Sequence, residues 1–160
     1  MFALKQLMER HREMQEGLRM VFIGLEKTYG RVPRQEMWRC LREKNVPEKY
    51  VRLLKEMYEG TKTQVKSNVV TTEGFFVNVG LHQGSALSPY LFDLIMDVLV
   101  LNVKCEAPWS MLFADDIVLC ELSQTKAEKK LEDWRKVLEE REMKISTTKT
   151  AYMTLNGRDE

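Results

Sequence analysis

The sequence predicts an α+β fold in which helices pack on one side of a mostly antiparallel sheet, and three patterns predict it. A short apolar run, Leu18 to Ile23, lies between Gly17 and Gly24 and carries the β-preferring residues Val21, Phe22 and Ile23, as a buried strand does. Trp109 to Leu122 is apolar on both sides of Asp115-Asp116, the pattern of a tight hairpin with a polar tip. Around these runs, apolar residues recur at three- and four-residue spacing among charges, which is the signature of amphipathic helices.

Taken in order, residues 3 to 16 place Leu4, Leu7, Met8 and Met14 at helical spacing. After the first strand, Pro33 and Pro47 each open a helix, because a missing N–H costs little in the first turn, and Gly60 ends the second of these with a left-handed residue. Val51, Leu54 and Tyr58 form its inner face. Residues 61 to 79 are β-branched around Thr71-Thr72-Glu73-Gly74, which reads as a hairpin whose second strand aligns Val77 and Val79 on one face. Ser88-Pro89 starts a helix that is apolar almost all round from Leu91 to Leu101 and so belongs in the interior. Thr125 and Glu128 have capping-box spacing ahead of a face made by Ala127, Leu131, Trp134 and Leu138, and Ala151 to Leu155 forms a last short strand.

With 160 residues, 44% hydrophobic and 31% charged, the chain has the profile of one globular domain able to bury a core. Its longest strongly apolar run, Leu94 to Val103, is broken by Asp97 and Asn102 and falls far short of the ~20 residues of a membrane span. The first residues lack the apolar core of a signal peptide, so the expected location is intracellular, nucleus or cytoplasm, with no membrane partner. Cys40, Cys105 and Cys120 are odd in number and form no CxxC pair, which points to reduced thiols. The net charge of +1 conceals an asymmetry: residues 1 to 66 carry 15 Lys+Arg against 9 Asp+Glu, and residues 67 to 160 carry 10 against 15. A phosphate-facing surface beside a metal-seeking one has this distribution, and so does chance.

The chemistry-bearing pattern begins with Phe113-Ala114-Asp115-Asp116. Two carboxylates at a hairpin tip can share a divalent cation with the phosphates of a nucleotide. Taken alone, Asp-Asp is also what an ordinary turn contains. Upstream, Gly80-Leu81-His82-Gln83-Gly84-Ser85-Ala86-Leu87-Ser88-Pro89 runs from a loop into the apolar helix, with glycines that let backbone approach a ligand closely. It too has an ordinary reading, as a structural turn, with His82 a solvated loop residue.

Jointly, the two are far more specific. Gln83-Gly84 followed by Leu87-Ser88-Pro89 resembles motif B of reverse transcriptases, and Phe-Ala-Asp-Asp resembles their motif C. Val21 to Arg34 is similar to motif A of the LINE-type (non-LTR retrotransposon) enzymes, and Met143 to Thr150 to their motif D. The resemblance spans essentially the whole chain. It implies a polymerase palm-like sheet with a remnant of the fingers, residues 1–160 forming a single domain with partial fingers and palm, and with the thumb, earlier fingers elements and any endonuclease domain outside it. The implied activity is RNA-directed DNA polymerisation with Mg²⁺ or Mn²⁺, an RNA template, a DNA primer and deoxynucleoside triphosphates.

By the same resemblance, Asp115 is a metal ligand and Asp116 its neighbouring carboxylate. Tyr29 is the gate against the incoming sugar, Gln83 and Gly84 lie against the templating pair, and Lys149 is an acid near the leaving pyrophosphate. The residues taken singly leave Tyr29 open as core, Gln83 and Gly84 as loop, and Lys149 as a surface lysine.

The chain departs from the family in motif A, where Gly24 stands at the position of an Asp and Gly30 at that of a common second Asp. Two-metal nucleotidyl transfer needs carboxylates on both sides of the ion pair. Glu26 is displaced by ~6.6 Å along a strand and does not take over simply. The expectation is an impaired or inactive polymerase; the alternative is a non-catalytic nucleic-acid- or protein-binding relic of the palm. Gly24→Asp, at an open strand end, is then expected to fold and to raise divalent-metal affinity.

Overall fold

The computed structural model describes residues 2–113 and 115–156, in the order α1 (Phe2–Met14), β1 (Leu18–Leu25), α2 (Thr28–Arg31), α3 (Arg34–Glu43), α4 (Glu48–Tyr58), β2 (Lys62–Thr63), β3 (Phe75–Phe76), α5 (Ser88–Leu99), β4 (Ser110–Phe113), β5 (Asp116–Glu121), α6 (Gln124–Glu139) and β6 (Ile145–Leu155). The chain divides into two compact units, one formed by the residues up to Thr28 together with those from Leu99 onward, the other by Tyr29–Val98.

The first unit is built on a four-stranded sheet ordered β4-β5-β1-β6, with every pairing antiparallel. β1 is central, and its apolar run is explained by burial on both faces. Leu18 and Met20 join Leu4 and Leu7 of α1, Met111 of β4, and Val118 and Cys120 of β5 in one cluster, while Val21 and Ile23 project to the other face and are buried as well. α6 packs on β1, β5 and β6, and buries Ala127, Trp134 and Leu138. The Trp134 indole donates to the Val103 carbonyl at 3.2 Å.

α6 also carries a buried charge. The Lys130 ammonium donates to the Trp109 carbonyl at 2.9 Å, the Cys120 carbonyl at 3.4 Å and the Glu121 carboxylate at 3.0 Å, so one cation joins α6, β5 and the segment before β4. Burial pushes the Cys120 thiol up to about 11, which keeps it protonated and inert. Cys40 is buried like Cys120, and Cys105 is exposed; all three are free thiols.

The second unit packs α3 on α4 and holds the loop before α5 by an aromatic stack. Tyr58 lies edge-on to Trp38 at 5.9 Å and flat against the His82 ring at 4.0 Å. Arg34 sits over the Tyr58 ring, 5.0 Å from its centroid, and donates to the Tyr58 carbonyl at 2.8 Å. His82 is therefore a half-buried packing residue and not the solvated loop residue expected, a correction that rests on a partner 24 positions upstream. The Ser88 hydroxyl donates to the His82 carbonyl at 2.5 Å, tying the stack to the first residue of α5.

Several boundaries differ from expectation for local reasons. α1 stops at Met14 because Gln15 turns left-handed with φ 55°. α6 is capped by Ser123, which accepts from the Lys126 N–H, and not by Thr125, since the Glu128 side chain is engaged by Gln124 at 2.8 Å. The hairpin between Thr61 and Val79 shrinks to two paired residues per strand and one isolated bridge, Lys66 to Thr71, and Val79 is 48% exposed, so Val77 and Val79 make no buried face. β6 begins at Ile145, six residues before the expected start, because Ile145 and Ser146 pair with Leu25 and Gly24 ahead of an irregular stretch.

Two outcomes follow. Lys130→Met strands the Glu121 carboxylate and two carbonyls, and is expected to lower stability by about 1–3 kcal/mol, read as a lower urea midpoint at unchanged slope. For His82, burial first and the nearby Arg34 charge second hold the imidazole pKa below its ordinary value of 6.5. The folded chain thus binds fewer protons here than the unfolded one. This ring's contribution is complete above ~6.5 and declines as pH falls through that value toward the lowered one. A His82→Phe variant should lose less stability than the parent between about pH 7.5 and pH 5; equal losses would remove His82 as the cause.

Candidate functional site

The motif residues fall into two sets, each contained in one unit. In the sheet unit, Phe113 pairs with Asp116, closing the β4–β5 turn that contains Asp115; Ala114 lies outside the described residues. Asp116 is also the β5 partner of Gly24, so the carboxylate pair sits beside the end of β1, as the order of the motifs leads one to expect. Asp115 is half-buried and Asp116 exposed, and the turn lies at the end of the strands, open to solvent.

On the other edge of β1 the ladder to β6 is broken. Phe22 pairs with Ala151, but Gly24 pairs with Ser146, so the four residues 147–150 stand opposite Ile23 alone. This wide bulge is cross-bonded within itself. The Thr150 hydroxyl donates to the Ser146 carbonyl at 2.7 Å, and the Ser146 and Thr148 hydroxyls lie 3.1 Å apart. Lys149, expected near a leaving pyrophosphate, is an exposed residue of this bulge.

The bulge overturns the expectation of an open position at 24. Gly24 is buried, and a Cβ built on it would stand 2.5 Å from the Lys149 Cβ and 3.2 Å from the Lys149 carbonyl oxygen. Position 24 therefore offers neither an anionic side chain nor space for one. Among the described residues no three His, Cys, Asp or Glu side chains come together as a metal-holding group. Two carboxylates from one turn, with a closed glycine opposite, do not fit a two-metal centre.

In the helical unit, Tyr29 and the Gln83–Gly84 loop share a cleft of about 400 Å³, also lined by Ser85, Ser88 and Pro89. What joins them is backbone. Gly80, at φ +83°, donates to the Val32 carbonyl at 2.9 Å, and the Leu81 N–H donates to the Tyr29 carbonyl at 2.6 Å. A Cβ on Gly80 would come within 2.8 Å of the Tyr29 and Gly30 backbone, so only glycine admits this approach. Sequence reasoning assigned the loop glycines to a ligand; Gly80 instead serves a chain-to-chain contact. Gly84, at φ +82°, has open space beside it. The Tyr29 ring is tilted at 31° on Phe92, centroids 5.1 Å apart, and its position is thus set by the first turns of α5.

This frame is one that known proteins share. Over residues 2–158 the chain matches the family model described as reverse transcriptase (RNA-dependent DNA polymerase). It is 27% identical over 126 residues to the Pol polyprotein of the type-1 retrotransposable element R2 of Nasonia vitripennis, covering 72% of this chain and 12% of that protein. Against the type-2 element R2DM polyprotein of Drosophila melanogaster it is 29% identical over 105 residues, covering 61% and 10% respectively. The chain thus spans about a tenth of the length of these curated relatives. Among solved structures, Candida tropicalis telomerase in complex with a fragment of telomeric RNA superposes with a TM-score of 0.73 at 14% identity, over 96% of this chain and 29% of that one. The apo enzyme truncated of its C-terminal domain gives 0.72 at 17% identity, over 99% and 36%. These likenesses establish the palm-like α+β fold. With the family model matched from end to end of the described residues and retrotransposon polyproteins among its relatives, the chain belongs to the reverse transcriptase (RNA-dependent DNA polymerase) family, on its non-LTR retrotransposon side.

Proposed function

We propose that this chain is the palm region of a retrotransposon reverse transcriptase, with partial fingers, whose nucleotidyl transfer is lost or severely impaired. The observation that carries this reading is the register Gly24↔Asp116: the strand pair that should face a metal from two sides presents carboxylates from one side only. Asp115 and Asp116 retain the role of metal-seeking carboxylates. Tyr29 lies against the sugar of an incoming deoxynucleoside triphosphate, Gln83 and Gly84 against the templating pair, and Lys149 on the side of the leaving group. The family uses divalent metal ions; Mg²⁺ or Mn²⁺ here rests on Asp115 and Asp116 alone and is held weakly.

Nucleic acid remains the partner the chemistry favours, with RNA as template and DNA as primer. The cleft carries open backbone at Gly84, an aromatic face at Tyr29 and the Ser85 hydroxyl, which suits a base, a sugar or a phosphate. A non-catalytic relic that binds nucleic acid is the second reading, and the filled position 24 favours it for present activity.

Primer extension on an RNA template with Mg²⁺ or Mn²⁺ is expected to give no product above a no-enzyme control. Template-dependent extension that is lost in Asp115→Asn would refute the proposed impairment. Binding of an RNA–DNA duplex, followed by fluorescence anisotropy, is expected to be weak and to fall roughly tenfold or more between about 50 and 200 mM salt, because few basic residues lie beyond position 66 and phosphate contacts are displaced by counterions. Tight binding unchanged across that range would contradict it.

A further inference from the structure

We propose that Gly24 is the seat of the β6 bulge, and that the bulge closes the position from which a motif A carboxylate would project, so that the metal site cannot be regained by replacing Gly24 alone. Three observations converge on it, none of which depends on a catalytic role for any residue. The β1–β5 pairing is regular through Gly24, so β1 itself is not distorted there. The β1–β6 pairing is regular from Leu18 to Phe22 and resumes at Gly24 and Leu25, so the irregularity belongs wholly to β6. And the atoms nearest a Cβ at 24 are the Cβ, carbonyl oxygen and carbonyl carbon of Lys149, at 2.5, 3.2 and 3.4 Å.

The nature of those atoms decides how the contact responds. The far end of a lysine could swing away, but its Cβ and carbonyl move only with the backbone. That backbone is held by the Thr150 bond to the Ser146 carbonyl and by Ser146, which is 5% exposed. The Glu26 N–H donates to the Lys144 carbonyl at 2.9 Å, so the ladder is fixed on the far side of the bulge as well. Any side chain at 24 must therefore move residues 147–150 as a block. Overpacking of this kind is resisted by a sheet tied down at both ends. The aspartate's absence and the bulge are then one feature: the smaller residue admits the bulge, and the bulge excludes the larger residue.

The test uses the full chain with Gly24→Ala, Gly24→Asp, Lys149→Gly and the Gly24→Ala/Lys149→Gly double variant. Thermal unfolding, amide exchange across residues 145–155 and Mn²⁺ titration are the measurements. Gly24→Ala is expected to lower Tm by roughly 4–10 °C and to speed exchange across residues 145–155 by about tenfold or more. Lys149→Gly removes the closest atom, so the double variant should recover at least half of the loss relative to Gly24→Ala. Gly24→Asp should bind Mn²⁺ no more tightly than the parent.

A Gly24→Ala variant with parental Tm and exchange overturns the proposal. So does a double variant no more stable than Gly24→Ala, whether it unfolds early or fails to fold. Tighter Mn²⁺ binding by Gly24→Asp with the residue 145–155 amides still protected overturns it too. Polymerase activity enters none of these measurements, so the seat and the proposed impairment fail separately.

Discussion

Strand β1 is hydrogen-bonded along both edges and buried on both faces, and the placement of everything chemically interesting in the sheet unit depends on that enclosure. A strand so held does not slide freely: a one-residue slip would turn Leu18 and Met20 away from α1 and bring the Arg19 side chain toward their apolar cluster. Its pairing with β5 therefore transmits position along the strand, and the Asp115-Asp116 turn is set at the end of β1 by interior packing many residues away. The turn itself contributes little to this. Its carboxylates are a passenger at the strand ends of a sheet whose register is decided by Met20, Val21 and Ile23.

The fold was legible because most of it is written in local patterns. The doubly buried strand shows as an uninterrupted apolar run, α6 shows its Ala127–Trp134–Leu138 face, and the β4–β5 hairpin shows as apolar arms around a polar tip. What was not legible depends on partners distant in sequence. His82 looks solvated until Tyr58 is placed against it, and Gly80 looks like a ligand-facing glycine until the Tyr29–Gly30 backbone is seen to occupy the space. The start of β6 was hidden for a related reason. Its first half pairs out of phase, and the Thr-rich bulge disguises a strand as a loop.

The candidate site divides in the same way. Residue types and order were enough to select Asp115, Asp116, Tyr29, Gln83 and Gly84 as candidates, because such side chains and loops are what the chemistry requires. That Gly24 lacks a carboxylate could be read from the sequence too. That it also lacks room could not, since the obstruction comes from Lys149, 125 positions downstream, through a distortion of pairing that no periodicity announces.

The two glycines of the motif A segment differ in how freely each could be replaced. Around Gly30 nothing lies within 4 Å of an added Cβ, whereas around Gly24 the neighbouring strand comes to 2.5 Å. A lineage could exchange residues at position 30 in either direction with little penalty. At position 24 the order of changes matters: with β6 seated over the glycine a larger residue is the disruptive one, and admitting it requires a compensating change in a different strand first.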